Sequence, residues 1–171
     1  VHTNFSDINL GCRTRVSSGL SWVFSLVDEA IILEDDCLPS SSFFPFMSEM
    51  LNRYRDNLKI GSVSGFNALA DKEDKSTASY GFSGFPSVWG WGTWKRVWDK
   101  YDVNMDSWPK YRNSKLLPEN ISSKKSISYW QRALTGVYKK RIDTWDYQLT
   151  YSHWLQAVSY THLRAHETEA D

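Results

Sequence analysis

Between Arg13 and Val27 the apolar residues Val16, Leu20, Val23 and Val27 recur at i, i+4, i+7 and i+11, a spacing that predicts one face of a first helix. Asp28 and Glu29 separate it from Ala30-Ile31-Ile32-Leu33, a β-branched run of the kind that forms a strand buried on both faces of a parallel sheet. After Pro39 a serine run offers a helix cap, and Phe43, Phe46, Met47, Met50, Leu51 and Tyr54 mark a second amphipathic helix. Pro45 falls in its first turn, where a missing N–H does no harm. Ile60 to Phe66 predicts another strand. Residues 67–79 are polar and aperiodic, and a glycine-aromatic alternation runs from Tyr80 to Trp91. Helical spacing returns at Trp94, Val97, Trp98 and Tyr101, from a start near Thr93. Residues 103–126 predict irregular structure. Ile127, Trp130, Leu134, Val137 and Tyr138 then predict a helix, and Tyr147, Tyr151 and Trp154 a last one with Asp143 or Thr144 as its cap. The alternation of helix and strand is that of an α/β protein.

The chain has 171 residues, 41% of them apolar, and equal numbers of basic and acidic side chains. That composition excludes a disordered or collagen-like chain and fits one domain. Its longest apolar run is four residues, far below the ~18 of a membrane span. The zero net charge hides an uneven distribution, −4 over residues 1–85 against +6 over residues 86–158. That is too mild for the basic stripe of a nucleic-acid binder. Cys12 and Cys37 form no CxxC or Cys/His ladder, so neither a zinc site nor a disulfide scaffold is indicated, and a reduced compartment is expected. There is no initiator Met and no signal-like start, so the native start is expected further upstream. Residues 159–171 carry no periodicity and resemble translated adapter sequence; they are expected to stand outside the fold as a non-native tail, leaving residues 1–158 as the domain.

Two features carry chemistry. Glu34, Asp35 and Asp36 follow the first strand directly, and ligands of open α/β sheets collect beyond the carboxyl ends of strands. Alternation sends Glu34 and Asp36 to one side and Asp35 to the other. A hard divalent cation typically takes one or two carboxylates together with substrate phosphates, while the competing reading has Asp36 cap the loop and the other two solvated. The second feature is nine Trp beside nine Tyr and eight Phe, with Trp89, Trp91, Trp94 and Trp98 in ten residues. Such a density fills a core or lines a surface for sugar faces.

Residues 31–46 (IILEDDCLPSSSFFPF), 88–98 (VWGWGTWKRVW) and 144–148 (TWDYQ) together resemble the GT-A glycosyltransferases. The chain is similar to bacterial hemolysin-like sugar-nucleotide transferases and, more distantly, to the animal N-acetylglucosaminyltransferase that opens the complex N-glycan pathway, over about residues 5–157. The resemblance implies a mixed sheet flanked by helices, truncated at both ends, and transfer of a sugar from a nucleotide-diphosphate donor to a saccharide or glycolipid acceptor, with inversion. It implies Mn²⁺, or Mg²⁺, held by Asp36, with Glu34 and Asp35 nearer the donor ribose and sugar. Trp91 and Gly92 would border the donor, Trp89 and Trp145 would stack on sugar, and Asp146 would be the catalytic base. Glu34 departs from the common Asp-x-Asp pattern. The resemblance further implies that the nucleobase-gripping unit precedes Val1, that relatives continue beyond Trp154, that the fragment alone is inactive, and that the protein works in the bacterial cytoplasm, in polysaccharide biosynthesis, or against a membrane surface.

Two rivals belong to other classes. A carbohydrate-binding module accounts for the aromatics but has no use for three acids at a strand end. A metal-dependent phosphohydrolase needs a larger carboxylate or His constellation, which His2 and His153 do not supply. Arg13 and Arg15 are expected as exposed residues at a helix start, and Lys139-Lys140-Arg141 as a solvated helix end. Asn4-Phe5-Ser6 and Asn120-Ile121-Ser122 fit the glycosylation pattern and would be idle in a bacterial cytoplasm.

Overall fold

A computed structural model of the chain describes residues 1–66, 79–113, 123–156 and 159–163. It is a mixed α/β structure. Helix α1 (Gly11–Leu26) leads to β1 (Glu29–Ile32), α2 (Phe43–Tyr54) and β2 (Ile60–Ser64). Strands β3 (Tyr80–Ser83) and β4 (Trp91–Trp94) come next, then the short helices α3 (Lys95–Trp98) and α4 (Trp108–Tyr111). Helices α5 (Lys124–Tyr138) and α6 (Asp146–Leu155) and strand β5 (Ser159–Leu163) complete the order.

The five strands form one sheet in the order β1-β4-β2-β5-β3. The β2–β5 pair is parallel and the other pairs are antiparallel. Strand alternation sorts the side chains between two helical layers. Ile31, Val63 and Trp94 face α2 through Phe43, Met47, Met50 and Leu51. On the other face Ala30, Ile32 and Trp91 meet α1 through Leu20 and Phe24, and α6 through Leu149. Gly92 is required by the α2 layer, because a Cβ there would lie 2.9 Å from Met47 Cε and 3.1 Å from the Ala30 carbonyl. A third cluster joins α4, α5 and α6 through Trp108, Leu134, Val137, Tyr151 and Trp154.

Several expectations are corrected. Strand β1 is an edge strand, half-buried along its length and antiparallel to β4, not a doubly buried strand of a parallel sheet. Thr93 does not open a helix. It pairs with both Ala30 and Ser62 inside β4, and its hydroxyl donates to the Gly61 carbonyl at 2.6 Å, so helix α3 starts only at Lys95. Ser42 stands at the N-cap of α2 without a side-chain capping bond. The expected irregular stretch contains α4 and the first turn of α5, whose N-cap Ser123 accepts from the Ser126 N–H at 3.0 Å. Residues 159–163 do not stand outside the fold: they form β5, between β2 and β3. Residues 67–78 of the expected loop, the Asn120 acceptor pattern and residues 164–171 lie outside the described residues.

Candidate active site

The chain leaves the sheet after β1 and turns at once: the Cys37 N–H donates to the Glu34 carbonyl at 3.1 Å. This turn sets the three acids in different surroundings. Asp35 and Asp36 are exposed at its apex, and Glu34 is half-buried at its base. The Glu34 carboxyl is held above the usual carboxylate range, first by burial and then by repulsion from Asp36, Asp146 and Asp35. Asp146 belongs to α6, more than a hundred residues away in sequence. The Cys12 thiol at the start of α1 feels the same field: burial raises its pKa, and Asp143, Glu34 and Asp146 raise it further. The carboxyl end of β1, the start of α1 and the start of α6 therefore share one acidic face.

A strand pairing and a ring stack bring the acids together. Ile32 of β1 lies opposite Trp91 of β4, which fixes the acidic turn to the Trp-Gly-Trp strand. Trp91 stacks on Trp145, with ring centroids 5.7 Å apart and planes 26° apart. Trp145 is the N-cap residue of α6, and its carbonyl accepts from the Tyr101 hydroxyl at 3.1 Å. The first helical residue after it is Asp146, half-buried, whose carboxylate accepts a hydrogen bond from the Thr144 hydroxyl. The three sequence motifs are thus neighbours in space.

Their aromatic members do not have the expected exposure. Trp91 and Trp145 are 0% and 3% exposed, so neither ring has a face open to a sugar, and a Cβ at Gly92 would crowd α2. The burial departs from the stacking role expected of Trp145; the two rings pack β4 against α6. Trp89, by contrast, is 57% exposed and meets Phe66 edge-on at 5.2 Å. Gly90 beside it has a φ of 64°, a left-handed value that favours glycine.

Asp143 and Arg13 have structural work that the sequence did not announce. Asp143 does not cap α6. Its carboxylate accepts the Cys12 N–H at 2.9 Å and the Arg13 N–H at 3.1 Å, which satisfies two free donors of α1 and opposes the positive end of its dipole. Gly11, at φ +72°, lets it approach, since a Cβ there would lie 2.6 Å from Asp143 Oδ2. Arg13 is buried, not exposed, and donates to the carbonyls of Val137 and Ile142 at 2.7 and 2.9 Å. Lys139, Lys140 and Arg141 are exposed as expected. An Asp143→Asn variant is therefore expected to lose about 1 kcal/mol of stability, seen as a lower urea midpoint, without change in the rate of any reaction at the acidic face.

Hard cations require few protein ligands when a diphosphate supplies the rest. The residues present fit that demand: the mutual repulsion that raises the Glu34 carboxyl is relieved by positive charge, and Asp36 is open to solvent at the turn. Among the described residues no three His, Cys, Asp or Glu side chains converge into a closed metal cage. Comparison of the chain with protein-family models, with curated proteins and with solved structures gives no match.

Proposed function

We propose that the acidic face is the metal and base side of a GT-A glycosyltransferase site, which moves a sugar with inversion from a nucleotide-diphosphate donor to a saccharide or glycolipid acceptor. The observation that supports it most is the convergence of the acidic turn, the Trp-Gly-Trp strand and the Trp-Asp helix start, three segments far apart in sequence. Asp36, exposed at the apex of its turn, is the residue to hold Mn²⁺ or Mg²⁺ against the donor diphosphate. When held there, such a cation would supply Lewis-acid neutralisation of charge on the leaving diphosphate. Glu34 and Asp35 bind the ribose and sugar of the donor. Asp146 removes the acceptor hydroxyl proton, oriented by its bond from Thr144.

A carbohydrate-binding module without catalysis is the weaker reading, because most of the tryptophans that favoured it are interior. Among the described residues no helix is long and apolar enough to cross a membrane. The test is calorimetric titration of the full-length protein with UDP and with GDP, each with and without Mn²⁺. Metal-dependent affinity is expected to weaken at least about tenfold in Asp36→Ala, on the order of the 1.4 kcal/mol or more expected for a lost ligand. Unchanged metal-dependent affinity in that variant would sink the assignment.

A further inference from the structure

The residue that follows Asp146 has a feature the proposed chemistry leaves unused. Tyr147 of α6 and Tyr129 of α5 bring their phenol oxygens to 2.8 Å. Tyr129 is 52% exposed and Tyr147 half-buried. Both rings rest against Trp130, edge-on, at centroid distances of 5.5 and 5.6 Å. Trp130 is held in turn by Phe85, stacked at 5.7 Å, and by Trp154 at 4.8 Å. The phenols therefore stand on a packed aromatic base, at the corner between two helices.

A pair of phenols has two protons, and their mutual bond uses one. Among the described residues neither oxygen hydrogen-bonds any other group. One O–H donor and free lone pairs are left at a half-exposed position, one residue along the chain from Asp146. The Tyr147 phenol is pushed up to about 12, first by its bond with Tyr129 and then by burial, with Asp146 adding to the effect, so it keeps its proton at neutral pH.

We infer that the Tyr129–Tyr147 pair holds a hydroxyl of the acceptor sugar beside Asp146, which makes it a determinant of acceptor binding. The inference rests on the glycosyltransferase reading and adds to it the residues that receive the acceptor. A sugar ring matches the chemistry presented: its hydroxyls both donate and accept, as the pair does, and its C–H faces lie well on aromatic rings. The rival role is a clasp between α5 and α6, which would affect stability alone.

The two roles separate in binding to methyl glycosides of glucose, galactose, mannose and N-acetylglucosamine, measured by saturation-transfer NMR on the full-length protein with Mn²⁺ and UDP present. In Tyr129→Phe/Tyr147→Phe the affinity for the best-bound glycoside is expected to fall about tenfold, from the hydrogen bonds lost to the sugar, with Mn²⁺-dependent UDP affinity unchanged. Tyr129→Phe alone, at the more exposed position, should give a several-fold loss and covers the case of a double variant that folds poorly. Glycoside affinity that is unchanged in both variants overturns the inference and leaves the donor-site reading standing. Failure of every glycoside to bind the unsubstituted protein also overturns it. Absence of any metal-dependent nucleotide binding in the unsubstituted protein overturns both.

Discussion

Asp146→Asn is expected to slow sugar transfer by the full-length protein at least a hundredfold while nucleotide and Mn²⁺ bind as before. Losing a positioned general base typically costs ~10²–10⁴-fold in rate. The carboxylate has a competing explanation, because an acid in the first turn of a helix is stabilised by the dipole at ~0.3–1 kcal/mol without any chemistry. The fold sharpens the distinction. Asp146 is the only acid in the first turn of α6, yet it faces the acidic turn closely enough to raise the Glu34 carboxyl. Asparagine keeps the size and can still accept the Thr144 hydroxyl, so stability should fall little. Near-normal turnover would return Asp146 to a structural role. Asp143 would then be a poor substitute, since its carboxylate is committed to the backbone of α1.

Acidification should weaken the fold through His153, on the same helix. His153 is 1% exposed; its Nδ1 lies 2.9 Å from the Leu149 carbonyl and its Nε2 lies 3.0 Å from the Ser62 hydroxyl. The carbonyl can only accept, so Nδ1 carries the proton and Nε2 accepts from Ser62. A second proton would place a cation in the interior and turn the Ser62 bond around. Burial lowers the pKa from 6.5 to about 4, against a smaller opposing effect of the Leu149 bond. Between those values the unfolded chain binds more protons than the folded one, so stability rises with pH through that window. The contribution is complete above about pH 6.5 and is lost as pH falls to 4, about 3 kcal/mol in all. Urea unfolding at a series of pH values should therefore give a steeper acid loss for the unsubstituted protein than for His153→Gln, whatever the variant's stability at pH 7. Parallel curves would refute the assignment.

Helices α1, α2, α5 and α6 were legible because each keeps an apolar stripe at helical spacing over two to four turns, and a stripe is a local property. The acidic turn, Trp89 and Asp146 were legible as candidates for a similar reason, since residue type and position after a strand or before a helix are written in a few adjacent letters. Strand β5 was not legible: Ser159–Leu163 has no alternation of its own, and pairing with β2 and β3 makes it a strand.

The sequence by itself thus determined which segments are helical, that they alternate with strands, and which carboxylates stand at the ends of elements. Only the tertiary structure decided what covers each side chain. The same aromatic residue type is exposed at Trp89 and interior at Trp91 and Trp145, because α1 and α6 close over one face of β4 and leave its preceding loop open. Asp143 became the cap of α1 and Arg13 a buried clamp on the end of α5 because contacts across more than 120 residues placed them there. Tyr129 and Tyr147 meet for the same reason, at the corner where α5 packs on α6. Periodicity encodes the face on which a side chain emerges, whereas its partner on that face is set by long-range packing, and that packing joins the acidic turn to Asp146.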